Sequence, residues 1–213
     1  MTSNSRSKRT NYSTEVEQEI NDLITLHWGA SRTYSYLSHL CDRQTELCGF
    51  RDYFRLFALR SQRNADRLTR FQVVRGGQVD LGEVKPIIHM SADEPAGMYK
   101  FLSHALDTEK RIEQWVRELH DLAETKCDIV TTEFVELHCL SDQTRIIKVL
   151  VQHMQLVRSC PSEWLYSQTT MRDIVNQVIN SIYRSTVRSI GEDIPLMIEL
   201  DALHHGGRTR KIN

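Results

Sequence analysis

The chain has 213 residues, 40% of them hydrophobic, with 27 Lys+Arg against 28 Asp+Glu and a net charge of −1. That length suits one globular domain with a sizeable core, and the balanced charge gives no global pull toward nucleic acid or a membrane surface. No run of roughly 18 apolar residues occurs, which excludes a transmembrane helix. The polar start, Met1 to Arg9, lacks the apolar run of a secretory signal. The five cysteines, Cys41, Cys48, Cys127, Cys139 and Cys160, form no CxxC or zinc spacing. An odd, scattered set of this kind suits a reducing compartment, so a cytoplasmic protein is expected.

Glycine and proline are scarce, 9 and 4, and apolar spacing between them is helical throughout. From about Thr14 to Cys41 the stripe is Val16, Ile20, Leu23, His27, Ala30, Tyr34, Leu37, Cys41. From about Glu46 to Val74 it is Phe54, Phe57, Ser61, Asn64, Leu68, Phe71. A non-periodic stretch follows Gly76-Gly77, and Asp93-Glu94-Pro95 then offers a cap, an acid and a first-turn proline for a third helix. Its stripe is Met98, Leu102, Ala105, Glu109, Ile112, Val116, Leu119, Ala123. The fourth reads Glu136, Leu140, Gln143, Ile147, Leu150, Met154, Val157.

Alternating steps of three and four mark seams that face other helices. The connections run short, long, short, so the second and third helices are parallel, as in bundles with one crossover. A fifth segment carries Met171, Ile174, Val175, Val178 and Ile182, too apolar to dangle in water, so it must pack on something. The predicted fold class is all-α: a flexible arm over 1–12, a four-helix bundle over 13–160, an extended fifth helix over 161–190, and an irregular tail over 191–213.

The seams are interrupted by polar residues near the midpoint of each helix: His27, Ser61 with Asn64, Glu109, and Gln143, with Tyr34 two turns beyond His27. Midpoints of packed helices of similar length share one height, so these residues should meet in one interior layer. A satisfied polar cluster is the simplest reading of any one of them alone. A buried carboxylate such as Glu109 costs several kcal/mol unless paired. A metal could compensate it, and so could hydrogen bonds from Tyr34, Gln143 or a nearby arginine. A di-metal bundle site draws several carboxylates and Glu-x-x-His pairs from facing helices. One Glu, one His and one amide are too few hard ligands for two irons.

Over about residues 11 to 160 the chain resembles eukaryotic ferritin. The resemblance rests on Asn11-Tyr12, Gln72-Val-Val-Arg-Gly-Gly, Glu118-Leu-His-Asp-Leu-Ala and Glu136-Leu-His-Cys-Leu-Ser-Asp-Gln, and on the lengths of the helices and crossover. It implies a subunit of a twenty-four-subunit hollow cage that takes in and stores iron. Tyr34, Glu109 and Gln143 stand where heavy-type subunits have ferroxidase residues. His27 replaces the first glutamate ligand, Ser61 the bridging glutamate, and Asn64 the histidine ligand, so little or no ferroxidase activity is expected. His27, Glu109 and Gln143 remain as a weak remnant metal site. The segment Arg55 to Arg67, where light-type subunits carry a mineral-nucleating acidic patch, is basic, with Asp66 its only acid.

Glu133 and Glu136 share one face of the first turns of the fourth helix, where the helix dipole favours anions. Two solvated acids are the plain reading. The resemblance makes them, with His120 nearby, the lining of the three-fold channel by which ferrous iron enters. The long C-terminal extension resembles artemin, a ferritin relative with a degenerate iron centre and a chaperone role. Two functions stay open. The first is an iron-storage cage subunit, assembling with itself or with active heavy-type subunits, that carries iron in transit or as ferric mineral. The second is a non-storing cage that chaperones protein clients or RNA.

Overall fold

The computed structural model describes residues 9–45, 47–88 and 97–188. Helix α1 spans Thr14–Thr45, α2 Cys48–Val74 and α3 Met98–Thr125. Helix α4 runs Ile129–Val135, passes through a π-helical turn at Glu136–Leu140 and continues Ser141–Ser159. Helix α5 begins at Glu163–Tyr166, has its own π turn at Ser167–Met171 and ends in Arg172–Arg188. Among the described residues there is no strand, and no helix is long and apolar enough to cross a membrane.

The α1 and α3 seams are buried at every predicted position, including the polar His27, Tyr34 and Glu109. The α4 seam needs correcting. Glu136 is exposed, and Ile146 is buried in place of the half-buried Ile147. The π turn is the reason at Glu136, whereas downstream of it Gln143, Leu150, Met154 and Val157 are buried as predicted. The turn widens the helix locally and shifts which side chains face inward, a change that an unbroken three-four spacing does not carry. The cap at Asp93-Glu94-Pro95 lies outside the described residues, as do the tail over 191–213 and residues 1–8 of the arm. Within the described part, the first-turn N–H of Met98 donates to Glu163 Oε1 at 3.0 Å, so the start of α5 caps the start of α3.

Helix directions follow from which ends meet. Asn11, just before α1, donates to the Cys127 carbonyl just after α3 at 2.8 Å. Arg75, just after α2, pairs with Asp128 at 2.8 Å. Thus α2 and α3 run parallel, and the described part of the segment joining them climbs α1 from Glu17 to Thr33. A second α1 stripe, at four-residue steps, holds that climb. Glu17 Oε1 accepts the Gln78 N–H at 2.6 Å, Asn21 Oδ1 that of Asp80 at 3.2 Å, and Thr25 Oγ1 that of Gly82 at 3.3 Å. Thr33 Oγ1 accepts the Ile87 N–H at 2.8 Å. At Gly29, in the same stripe, a Cβ would lie 2.4 Å from the Lys85 carbonyl oxygen, so the crossover lies directly on the helix there.

The motif Gln72 to Gly77 closes the far end. Arg75 donates to Asp128, Thr131 and the Asn11 carbonyl and lies over the Tyr12 ring, 4.7 Å from its centroid. The Tyr12 hydroxyl donates to Gln72. The arm's described residues, 9–12, are therefore anchored, with Tyr12 buried and Arg9 paired to Glu17 at 2.5 Å.

Helix α5 packs on α2 of its own chain. Gly49 permits the approach: a Cβ there would fall 2.0 Å from the Ser167 carbonyl oxygen, and the Gly49 N–H donates to Ser167 Oγ at 3.1 Å. Met171, Ile174, Val175 and Val178 are buried, and Ile182 packs at the edge of the same core. The apolar stripe predicted to need a partner finds it within the chain.

Candidate functional site

The four bundle helices bring the predicted polar residues to one height. Helix α1 contributes His27 and Tyr34, α2 contributes Ser61 and Asn64, α3 Glu109 and α4 Gln143. All but the half-buried Asn64 are buried. The Tyr34 hydroxyl donates to Glu109 Oε1 at 2.5 Å, and the Gln143 amide donates to Glu109 Oε2 at 2.5 Å and to the Glu109 carbonyl at 2.8 Å.

The decisive group was not among the predicted site residues. Arg60 of α2 is 1% exposed and directs its guanidinium into the layer. Its Nη1 lies 3.2 and 3.1 Å from the two Glu109 carboxylate oxygens, and its Nη2 donates to Gln143 Oε1 at 3.4 Å. The cation that compensates the buried carboxylate is therefore a side chain of the protein. Sequence reasoning grouped Arg60 with the basic residues of α2, yet it stands three positions after the seam residue Phe57 and next to Ser61. A seam-adjacent arginine opposite a lone buried carboxylate was the available signal.

Electrostatics follow the geometry. Burial, then the Glu109 charge, raises the Tyr34 hydroxyl well above its ordinary range, so it stays a donor. Burial and the charges of Arg60 and Arg67 push His27 down to about 3, so its imidazole is neutral. His27 Nδ1 is buried without a hydrogen-bond partner, as is the Ser61 hydroxyl. Both oxygens of the one carboxylate in this set are engaged by Arg60, Tyr34 and Gln143. The donors present do not fit a pair of iron ions, which would need further carboxylates and no fixed cation between them.

The second predicted group lies near the start of α4. His120 Nε2 is 3.0 Å from Glu136 Oε1, and that hydrogen bond raises the imidazole above its ordinary value. Glu133 and Glu136 line a surface depression with Glu124 and Asp128. His120, Asp121 and Glu124 also bring three donor atoms within 4.8 Å of one another. The structure thus gathers the predicted acids and His120 at one acidic surface.

Long antiparallel helix pairs, one crossover and a central polar layer define the ferritin-like class of bundle. A family model described as ferritin-like domain matches residues 17–160. Ferritin light chain 1 of Mus musculus is 36% identical over 152 residues, 70% of this chain and 81% of the relative. The Felis catus ferritin light chain is 34% identical over 172 residues, 77% of this chain and 96% of the relative. The middle subunit of Salmo salar ferritin is 31% identical over 170 residues, 76% of this chain and 95% of the relative. The chain belongs to the ferritin family. Helix α5 lies beyond the segment that the family model matches.

Proposed function

We propose that the chain is a non-oxidising subunit of a ferritin-type cage of twenty-four subunits that stores iron in the cytosol. It would assemble with itself or with oxidising heavy-type subunits. The observation that carries this reading is the Arg60–Glu109 ion pair, 3.1 Å long and fully buried, in the layer where a ferroxidase centre would sit. A fixed guanidinium supplies the positive charge that ferrous ions would otherwise supply, and it repels them. Ser61 offers no carboxylate to bridge two ions. Glu133, Glu136 and His120 support a route by which ferrous iron, as cargo, still reaches the cage interior.

The test is aerobic addition of ferrous iron to the purified assembly, followed by ferric absorbance. Oxidation should run no faster than in buffer, and light scattering should give a mass near two dozen subunits. Fast oxidation, or a stable monomer, would overturn the reading. An artemin-like chaperone cage is the second reading, favoured by α5, which adds a packed helix beyond the matched ferritin segment. Iron-free cages that suppress aggregation of a heated client would select it.

A further inference from the structure

A basic surface on α2 and α4 adjoins the polar layer. Arg63, Arg67 and Arg70 follow one another down the outer side of α2 at steps of four and three, spanning about 10 Å of helix. Helix α4 runs beside α2 with Arg67 3.8 Å from Asp142 and the Phe71 and Phe134 rings stacked at 4.0 Å. It adds Arg145 and Lys148. Four of these five cations are exposed and Arg67 is half-buried. The carboxylates among them are Asp66 and Asp142, so cations outnumber acids whatever pairs form. Helices α1 and α3 have the opposite bias, with more carboxylates than cations even without the buried Glu109.

A second observation singles out the middle of this surface. A cavity of about 10 Å³, room for one water-sized group, sits between α2 and α4. It is lined by Arg67, Asn64, His138 and Gln143, with His27 also on its wall. His27 is 3% exposed, and its Nδ1 has no hydrogen-bond partner. A neutral imidazole can carry its proton on Nδ1, and an entering oxygen acceptor selects that tautomer. Cations at the mouth and this open Nδ1 position within suit an oxyanion.

We propose that the α2–α4 groove binds linear oligophosphates, one oxygen entering the His27 cavity and the remaining phosphates lying along Arg63, Arg70, Arg145 and Lys148. Arginine forks match phosphate oxygens bidentately, which makes a row of them a better phosphate surface than a row of point charges. Among the described residues no Phe, Tyr or Trp side chain of α2 or α4 is exposed, which leaves the exposed His138 imidazole as the one ring of these helices on which a base could stack. Recognition rests on the phosphate chain, whether it comes as inorganic tripolyphosphate or as the tail of a nucleoside triphosphate. The proposal does not depend on iron chemistry.

Calorimetric titration of the purified full-length assembly with inorganic tripolyphosphate tests it. Saturable binding is expected, weakening steadily with added salt. The exposed-site variant Arg63→Glu/Arg145→Glu should weaken binding at least tenfold. His27→Leu, which removes the interior donor, should weaken it severalfold. Arg117→Glu on α3 should change nothing. Light scattering on each variant confirms assembly, and Arg145→Lys, which keeps the charge, should retain most of the binding if the double variant fails to assemble. ATP binding as tightly as tripolyphosphate supports recognition of the chain alone. No saturable binding, equal binding of orthophosphate, or ATP binding more than tenfold tighter than tripolyphosphate each overturns the proposal.

Discussion

Arg60 Nη1 lies 3.1 Å from a carboxylate oxygen of Glu109, with the two side chains 1% and 0% exposed. A pair so deeply buried repays its own desolvation only while both partners are present. Removing one leaves a charge that neither water nor protein compensates. Arg60→Leu should therefore lower stability by about 3–5 kcal/mol, and Glu109→Gln should destabilise too because it strands the guanidinium. The double variant Arg60→Leu/Glu109→Leu should recover most of that loss. Chemical unfolding of the three variants measures the pattern, and a single variant as stable as the parent would refute the pairing.

On the proposed function, the same pair sets what a ferroxidase built on this layer would need. Introducing carboxylates and an imidazole by His27→Glu, Ser61→Glu and Asn64→His supplies ligands but leaves the guanidinium among them. The triple variant should stay slow in aerobic ferrous oxidation. Adding Arg60→Ala to the triple should raise the rate well above buffer. Equal rates for the triple and quadruple variants would show that Arg60 is no obstacle.

Much of this architecture was legible in the sequence because the three-four spacing of α1 and α3 is imposed by their packing, and every seam residue named there is buried. The polar layer was legible for the same reason, since His27, Glu109 and Gln143 occupy seam positions. Arg60 was not, because it is one position off the seam and its long side chain carries the charge inward. Nor was the register of α4, where a π turn moves Glu136 out to the surface. The α1 stripe Glu17, Asn21, Thr25, Thr33 lies off the predicted seam, and only the crossover lying on it shows what those side chains accept.

His27 should leave a mark on the pH dependence of stability. Folded, it takes a proton only near pH 3, because burial and the charges of Arg60 and Arg67 push it down from 6.5. The unfolded imidazole protonates near its ordinary value. Between the two the unfolded state binds more protons, so stability falls as pH falls through that window. The slope from this one group approaches about 1.4 kcal/mol per pH unit at its steepest. His27→Gln should flatten the acid limb by that amount while leaving stability above pH 7 largely unchanged. Unfolding curves at several pH values decide it, and an unchanged acid limb would mean that His27 is not held neutral.

The docking of α5 on α2 yields the last prediction. Gly49 meets Ser167 so closely that a methyl group there would lie 2.0 Å from the Ser167 carbonyl oxygen. That oxygen belongs to the backbone and cannot swing aside, so Gly49→Ala must push the helices apart. The cost of such overpacking is about 1–3 kcal/mol. Its location matters more than its size. The atoms nearest that methyl group are those of Ser167 and Met171 in α5, so the bundle should stay folded while α5 loosens from Tyr166 onward. Truncation after Thr170 removes Met171, Ile174, Val175 and Val178, each of which contributes about 1.5–3 kcal/mol when fully buried, and should expose the α2 surface they cover. Hydrogen exchange should then report the same result for both variants: faster exchange at the N-terminal part of α2, with α1 and α3 still protected. Limited proteolysis of Gly49→Ala should cut within α5 first. If α5 in that variant stays as protected as in the parent chain, the contact at Gly49 does not hold the helix in place.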